Sequence, residues 1–80
     1  MIPLYGFLQG DTMGLLVLAD EDDTITTLAA KLAAAARVRV QHRAPLCVFY
    51  KGVRLDDDMT VGRARIEALD RIDVREIEVP

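Results

Sequence analysis

Two runs of carboxylates are the residues of this 80-residue chain best suited to chemistry: Asp20-Glu21-Asp22-Asp23 and Asp56-Asp57-Asp58. Clustered acids can hold a hard cation or share a proton. A calcium loop alternates oxygen ligands through twelve residues, with glycine at the sixth place and glutamate at the last. Counted from Asp56, Gly62 arrives one place late, and hydrophobic or basic residues stand where ligands belong. Neighbours in an extended turn also point apart, so three in a row seldom meet one ion. Turn and helix-cap chemistry accounts for Asp56-Asp57-Asp58, which would turn the chain and cap a helical start at Thr60. The acids at residues 20 to 23 fail the same comparison, and an N-cap role suffices for them.

The remaining candidates have no partners in the sequence. His42 is the only histidine, without the second His or Cys that a zinc site needs, and reads as a surface or loop-packing residue. Cys47 has no histidine at a telling spacing and reads as a small hydrophobe in mid-strand. Gly10 and Gly14 form no phosphate loop, because no Lys-Ser/Thr follows and the segment does not open a helix. No residue pair makes an acid/base or nucleophile set, so the expectation is a protein that is not an enzyme, with no metal and no cofactor.

Composition narrows the classes further. The chain is 51% hydrophobic and 29% charged, which fits a folded soluble protein. Its net charge of −3 argues against a nucleic-acid partner, since phosphate contacts want a basic face. Arg37, Arg39 and Arg43, then Arg63 and Arg65, are interleaved with acids or apolar residues and read as solvated faces. The single cysteine allows no internal disulfide and is consistent with a reducing compartment. "MIPLYGFLQG" lacks a basic leader, and no apolar run approaches the roughly 20 residues of a membrane span. The expectation is one cytoplasmic domain over residues 1–80.

These residues must be positioned by short elements. Ile2 to Gln9 reads as a first strand, and Gly10 to Gly14 as a turn. Leu15 to Ala19 completes a hairpin. Asp23 or Thr24 can cap a helix whose apolar positions Ile25, Leu28, Ala29, Leu32, Ala33 and Ala36 share one face, with an end near Arg37. "LCVFYK" is a third strand closed by Gly52, "VRL" a short fourth, and "TVGRARI" a helical turn from Thr60. "RIDVREIEV" is a final half-buried strand, with Ile72 and Val74 alternating before a register break at Ile77 and Val79. One helix covers one sheet face only. The expected architecture is therefore an α+β β-grasp: a mixed sheet of four to five strands, one helix across it, and first and last strands as parallel central neighbours.

"VFYKGVRLDDDMTVGRARIEALDRIDV" resembles the second half of ubiquitin-like domains, in its Lys-Gly turn and in Leu55, Thr60, Val61, Ile66, Ile72 and Val74. A narrower resemblance is to the small B-type (gamma) subunits of bacterial toluene monooxygenases. It is carried by an acid-flanked helix start, an Ala-x-Lys step around Ala30-Lys31, and an Arg-Val-rich segment after the helix. Asp58-Met59-Thr60 and Ile72-Asp73-Val74 complete it. The resemblance implies a non-catalytic accessory subunit of a multicomponent diiron monooxygenase, docked on a large hydroxylase subunit that holds the iron.

Strand alternation locates a contact face for such a partner. Leu46, Val48 and Tyr50 share one side of the third strand, and Cys47, Phe49 and Lys51 the other. If the first set meets the helix, Phe49 lies on the open face, where ubiquitin-like domains commonly carry their partner patch. The alternative is a Phe49 covered by Tyr5, Phe7 or the loop near Pro45. Phe49, Arg54 and Arg75 are the expected partner-binding residues. The chain ends at Glu78-Val79-Pro80 rather than in a Gly-Gly tail, an expectation against conjugation as a modifier or sulfur carrier. The alternative function is a stand-alone ubiquitin-like adaptor, such as the small one found with type VII secretion.

Overall fold

The computed structural model describes residues 1–36 and 45–77. The elements run β1 (Ile2–Leu8), β2 (Gly14–Ala19), α1 (Ile25–Ala36), β3 (Leu46–Tyr50), β4 (Val53–Arg54) and β5 (Arg71–Glu76). Five strands form one sheet in the order β2-β1-β5-β3-β4. β1 and β5 are parallel at its centre, and the other pairs are antiparallel. This is the β-grasp arrangement that the element order called for.

Alternation along the strands builds the core. Leu4 and Leu8 of β1, Val17 and Ala19 of β2, Val48 of β3, and Ile72 and Val74 of β5 all point under α1. The helix answers with Ile25, Leu28, Ala29, Leu32 and Ala36. A twelve-residue helix is marginal by itself in water, so this buried stripe is what holds it. Each fully buried Leu, Ile or Val contributes roughly 1.5–3 kcal/mol of transfer free energy. Gly6, the β1 residue between Leu4 and Leu8, lets the helix sit close. A Cβ there would lie 2.7 Å from Leu32 Cδ1.

Both acidic runs prove structural, although not in the way expected. Thr24, rather than Asp23, caps α1: its hydroxyl accepts the Thr27 N–H at 3.1 Å. The Asp23 carboxylate instead accepts the Asp20 N–H at 3.0 Å and pairs with Lys31 Nζ at 2.6 Å. The hydrogen bond from Lys31, then that from the Asp20 amide, holds the Asp23 carboxyl below its ordinary range. Asp56-Asp57-Asp58 serve through their backbone. The Asp57 carbonyl accepts the Thr26 N–H at 3.2 Å, and the Met59 carbonyl accepts that of Ile25 at 2.8 Å. In return the Val61 and Gly62 N–H groups donate to the carbonyls of Asp23 and Glu21. The turn thereby satisfies N–H groups that a helix start leaves unpaired.

The cap on Thr60 is its own. Its hydroxyl accepts the Arg63 N–H at 3.2 Å, and its carbonyl accepts that of Ala64 at 3.0 Å. Residues 61–65 make hydrogen-bonded turns rather than a helix. Lys51 leaves the third strand, because the turn into Gly52 puts it at φ 52° with Gly52 at φ 80°. β5 ends at Glu76, after which the Ile77 N–H donates to the Pro45 carbonyl at 2.8 Å. Val79 lies outside the described residues, as do His42, Arg37, Arg39 and Arg43.

Candidate functional site

The period of two that buries one set of strand residues turns the other set away from α1. Register fixes which of them meet. Phe7 pairs with Gly14 and Asp73, Asp73 with Phe49, and Phe49 with Arg54. One row therefore crosses all five strands: Gly14, Phe7, Asp73, Phe49, Arg54. Beside it stand Tyr5, paired with Leu16 and Arg71, and Pro3, paired with Leu18. On the row's other flank Arg75 pairs with Cys47.

The row is held by stacked cations. The Arg71 guanidinium lies 4.1 Å from the Phe7 ring centroid, and its Nη2 bonds Asp73 Oδ1 at 2.9 Å. The Arg75 guanidinium lies 4.5 Å from the Phe49 centroid. Such stacks are worth about 0.5–1 kcal/mol each at an exposed site and fix the guanidinium plane. Phe7 lies over Gly14, where a Cβ would come within 2.6 Å of its ring. A shallow depression of about 590 Å³ runs along the row, lined among others by Phe7, Cys47, Phe49, Arg54, Asp73 and Arg75.

Phe49 is half-buried on the open face. Neither alternative for it holds outright, since the Arg75 guanidinium covers its ring while Phe7 stands two strands away. Arg54 is exposed directly across from Phe49, and Arg75 is exposed above it. The structure thus brings Phe49, Arg54 and Arg75 together. Cys47 is buried on the same side of β3.

Sequence reasoning missed Phe7, Arg71 and Asp73, and an aliphatic half of the face. Tyr5, Leu16 and Leu18 are 45%, 58% and 51% exposed. The alternation of Arg71, Asp73 and Arg75 was a usable signal. "LLVLA" carried none, because residues on both faces of β2 are apolar.

A further hydrogen bond between side chains lies off this face. The Tyr50 hydroxyl donates to the Asp70 carboxylate, whose Oδ2 also accepts the Glu67 N–H at 2.9 Å. The bond to Asp70, then burial, pushes the Tyr50 phenol up to about 12. The same bond, then the Glu67 amide, holds Asp70 below its ordinary value. The pair ties β3 to the turn before β5. Among the described residues no group of His, Cys, Asp and Glu is placed to hold a metal ion, and no helix is long and apolar enough to cross a membrane.

A family model described as toluene-4-monooxygenase system protein B matches residues 1–75. Among solved structures, a chain of "Toluene 4 monooxygenase HD Complex with Inhibitor 4-Bromobenzoate" superposes with a TM-score of 0.89 at 24% identity, covering 95% of this chain and 98% of that one. Caldiarchaeum subterraneum ubiquitin gives 0.75 at 17% identity over 98% of this chain and 95% of its own. A chain of the crystal structure of ATBAG1 in complex with HSP70 gives 0.78 at 11% identity, over 99% of this chain and 42% of that one. These structural likenesses carry the ubiquitin-like fold. No curated protein matches the sequence.

Proposed function

Because the chain belongs to the toluene-4-monooxygenase system protein B family, we propose that it is a non-catalytic accessory subunit of a multicomponent diiron monooxygenase. It docks on the large hydroxylase subunit, and the iron and the oxidation chemistry belong to that subunit. The observation that carries the reading is the family match over residues 1–75. The described residues agree with it in offering an open sheet face where guanidinium groups lie over aromatic rings. Residues 1–80 act as one folding unit, working in the cytoplasm.

The docking surface is the open sheet face centred on Phe49, with Arg54 and Arg75 at its margin. Support comes from its make-up: half-buried aromatics under guanidinium groups, next to exposed aliphatic side chains. Aromatic and arginine residues are the types enriched at interface hot spots.

Co-purification from the native host tests the role. A large iron-containing hydroxylase subunit should accompany the protein in stoichiometric amount, and Phe49→Ala should reduce its recovery. A protein isolated as a free monomer, with no such subunit at any salt concentration, refutes the role.

A further inference from the structure

Among the described residues exposed charge differs between the faces, although Arg63 lies beside Asp56, Asp57 and Asp58. The exposed acids Asp20, Glu21, Asp22, Asp56, Asp57 and Asp58 stand together at the N-terminal end of α1, in the helix layer. The open face has the opposite sign, although the chain as a whole is acidic at −3. Its strand residues include Arg54, Arg71 and Arg75 against one carboxylate, Asp73. Asp11 and Glu76, at the rim of the depression, are already engaged.

The three arginines differ in what remains open on them. Arg71 is satisfied by Asp73 and by the Phe7 ring. Arg75 lies over the Phe49 ring, 4.5 Å from its centroid, and its side-chain N–H donors have no acceptor among the described residues. Arg54 is exposed, and neither it nor Arg75 has a carboxylate partner among the described residues. A stacked guanidinium is already oriented, so binding a carboxylate through two parallel N–H···O bonds loses less side-chain entropy than usual. From strand spacing and rise, the Cα atoms of Arg54 and Arg75 are roughly 12 Å apart, two strands across and two residues along.

Resting on the docking role proposed above, we infer that this face recognises an acidic segment of the partner protein. Carboxylates meet Arg75 and Arg54, and aliphatic side chains farther along the segment, toward the opposite edge strand β2, cover Tyr5, Leu16 and Leu18. The guanidinium groups set orientation and approach rate, and the aliphatic half supplies salt-independent contact. The acids at the α1 end, offset in part by Arg63 among them, disfavour the same segment there.

The test is titration of the large hydroxylase subunit with this chain at about 50 and about 500 mM NaCl, where screening differs several-fold in range. Wild-type affinity should fall steeply with salt. Arg54→Gln with Arg75→Gln should weaken binding about tenfold or more at low salt and flatten the salt dependence. Arg54→Lys with Arg75→Lys should restore the salt slope but only part of the affinity, because an ammonium lacks the planar fork. Leu16→Ser with Leu18→Ser should weaken binding equally at both salts. All these positions are exposed, and unchanged unfolding midpoints would show the variants folded. Wild-type binding that ignores salt, or a Gln variant that binds like wild type, overturns the carboxylate partner while leaving the docking role standing. Absence of any wild-type complex at low salt overturns the docking role itself, and this partner with it.

Discussion

Replacing Gly6 with alanine probes how the helix is seated on the sheet. The new methyl would sit 2.7 and 2.8 Å from the two Leu32 Cδ atoms and 3.3 Å from Cγ, where ordinary contact begins near 3.4 Å. Leu32 is fully buried and must retreat by about 0.7 Å into a packed interior. Overpacking of this kind costs about 1–3 kcal/mol. Part of that is offset, because alanine restricts the unfolded chain and stabilises by about 0.4–1 kcal/mol where the backbone tolerates it. Gly6 has no left-handed φ, so that offset applies. The net expectation is a loss of about 1.5 kcal/mol, or roughly 6–12 °C in Tm for a chain of this size. Urea denaturation should show a lower midpoint at unchanged m. The decisive step repeats the substitution in a Leu32→Val background, which removes both Cδ atoms. There Gly6→Ala should cost little or become stabilising. If it costs the same in both backgrounds within about 0.5 kcal/mol, the two sites are independent and the steric account of Gly6 is wrong.

The Tyr50–Asp70 bond predicts a pH window. A Tyr50 phenol raised from 10.0 to about 12 by folding adds stability that is complete below pH 10 and disappears as pH climbs through 12. Asp70, lowered from 3.8, adds stability that is present above that value and is lost on acidification. Wild type and Tyr50→Phe should therefore converge in denaturant midpoint as pH approaches 12. A phenolate absorbance titration that finds Tyr50 ionising with an ordinary tyrosine pKa would contradict the pairing. At the helix start, Thr24→Ala should cost about 1 kcal/mol and lower Tm by roughly 4–8 °C. Thr24→Asn should recover most of it, and an alanine variant with unchanged Tm would remove Thr24 from the cap.

Much of the scaffold was written in local pattern. The 3.6-residue spacing from Ile25 to Ala36, the turn at Gly52 and the alternation of Ile72 with Val74 each identify an element within a few neighbours. The resemblance of residues 48 to 74 to ubiquitin-like domains then ordered those elements into a β-grasp. The same local view misjudged the acids. Their carboxylates looked like caps for Thr60, but it is the carbonyls of Asp57 and Met59 that receive α1 N–H groups. Every residue carries the same carbonyl, so residue type holds no record of that use.

The open face was legible only within single strands. Alternation could put Phe49 on one side of β3, but it could not say that Asp73 lies beside it or that Phe7 and Arg54 continue the row. Nor could it choose a side for Leu16 and Leu18, where both faces of β2 are apolar. A strand's own period specifies which of its residues share a face. Which neighbour they meet depends on register with strands distant in sequence, and which face is covered depends on where the helix packs. What the sequence determined by itself is the set of elements and their buried stripes; the cation-stacked surface came only from bringing residues 7, 49, 54, 71, 73 and 75 into adjacent strands of one sheet.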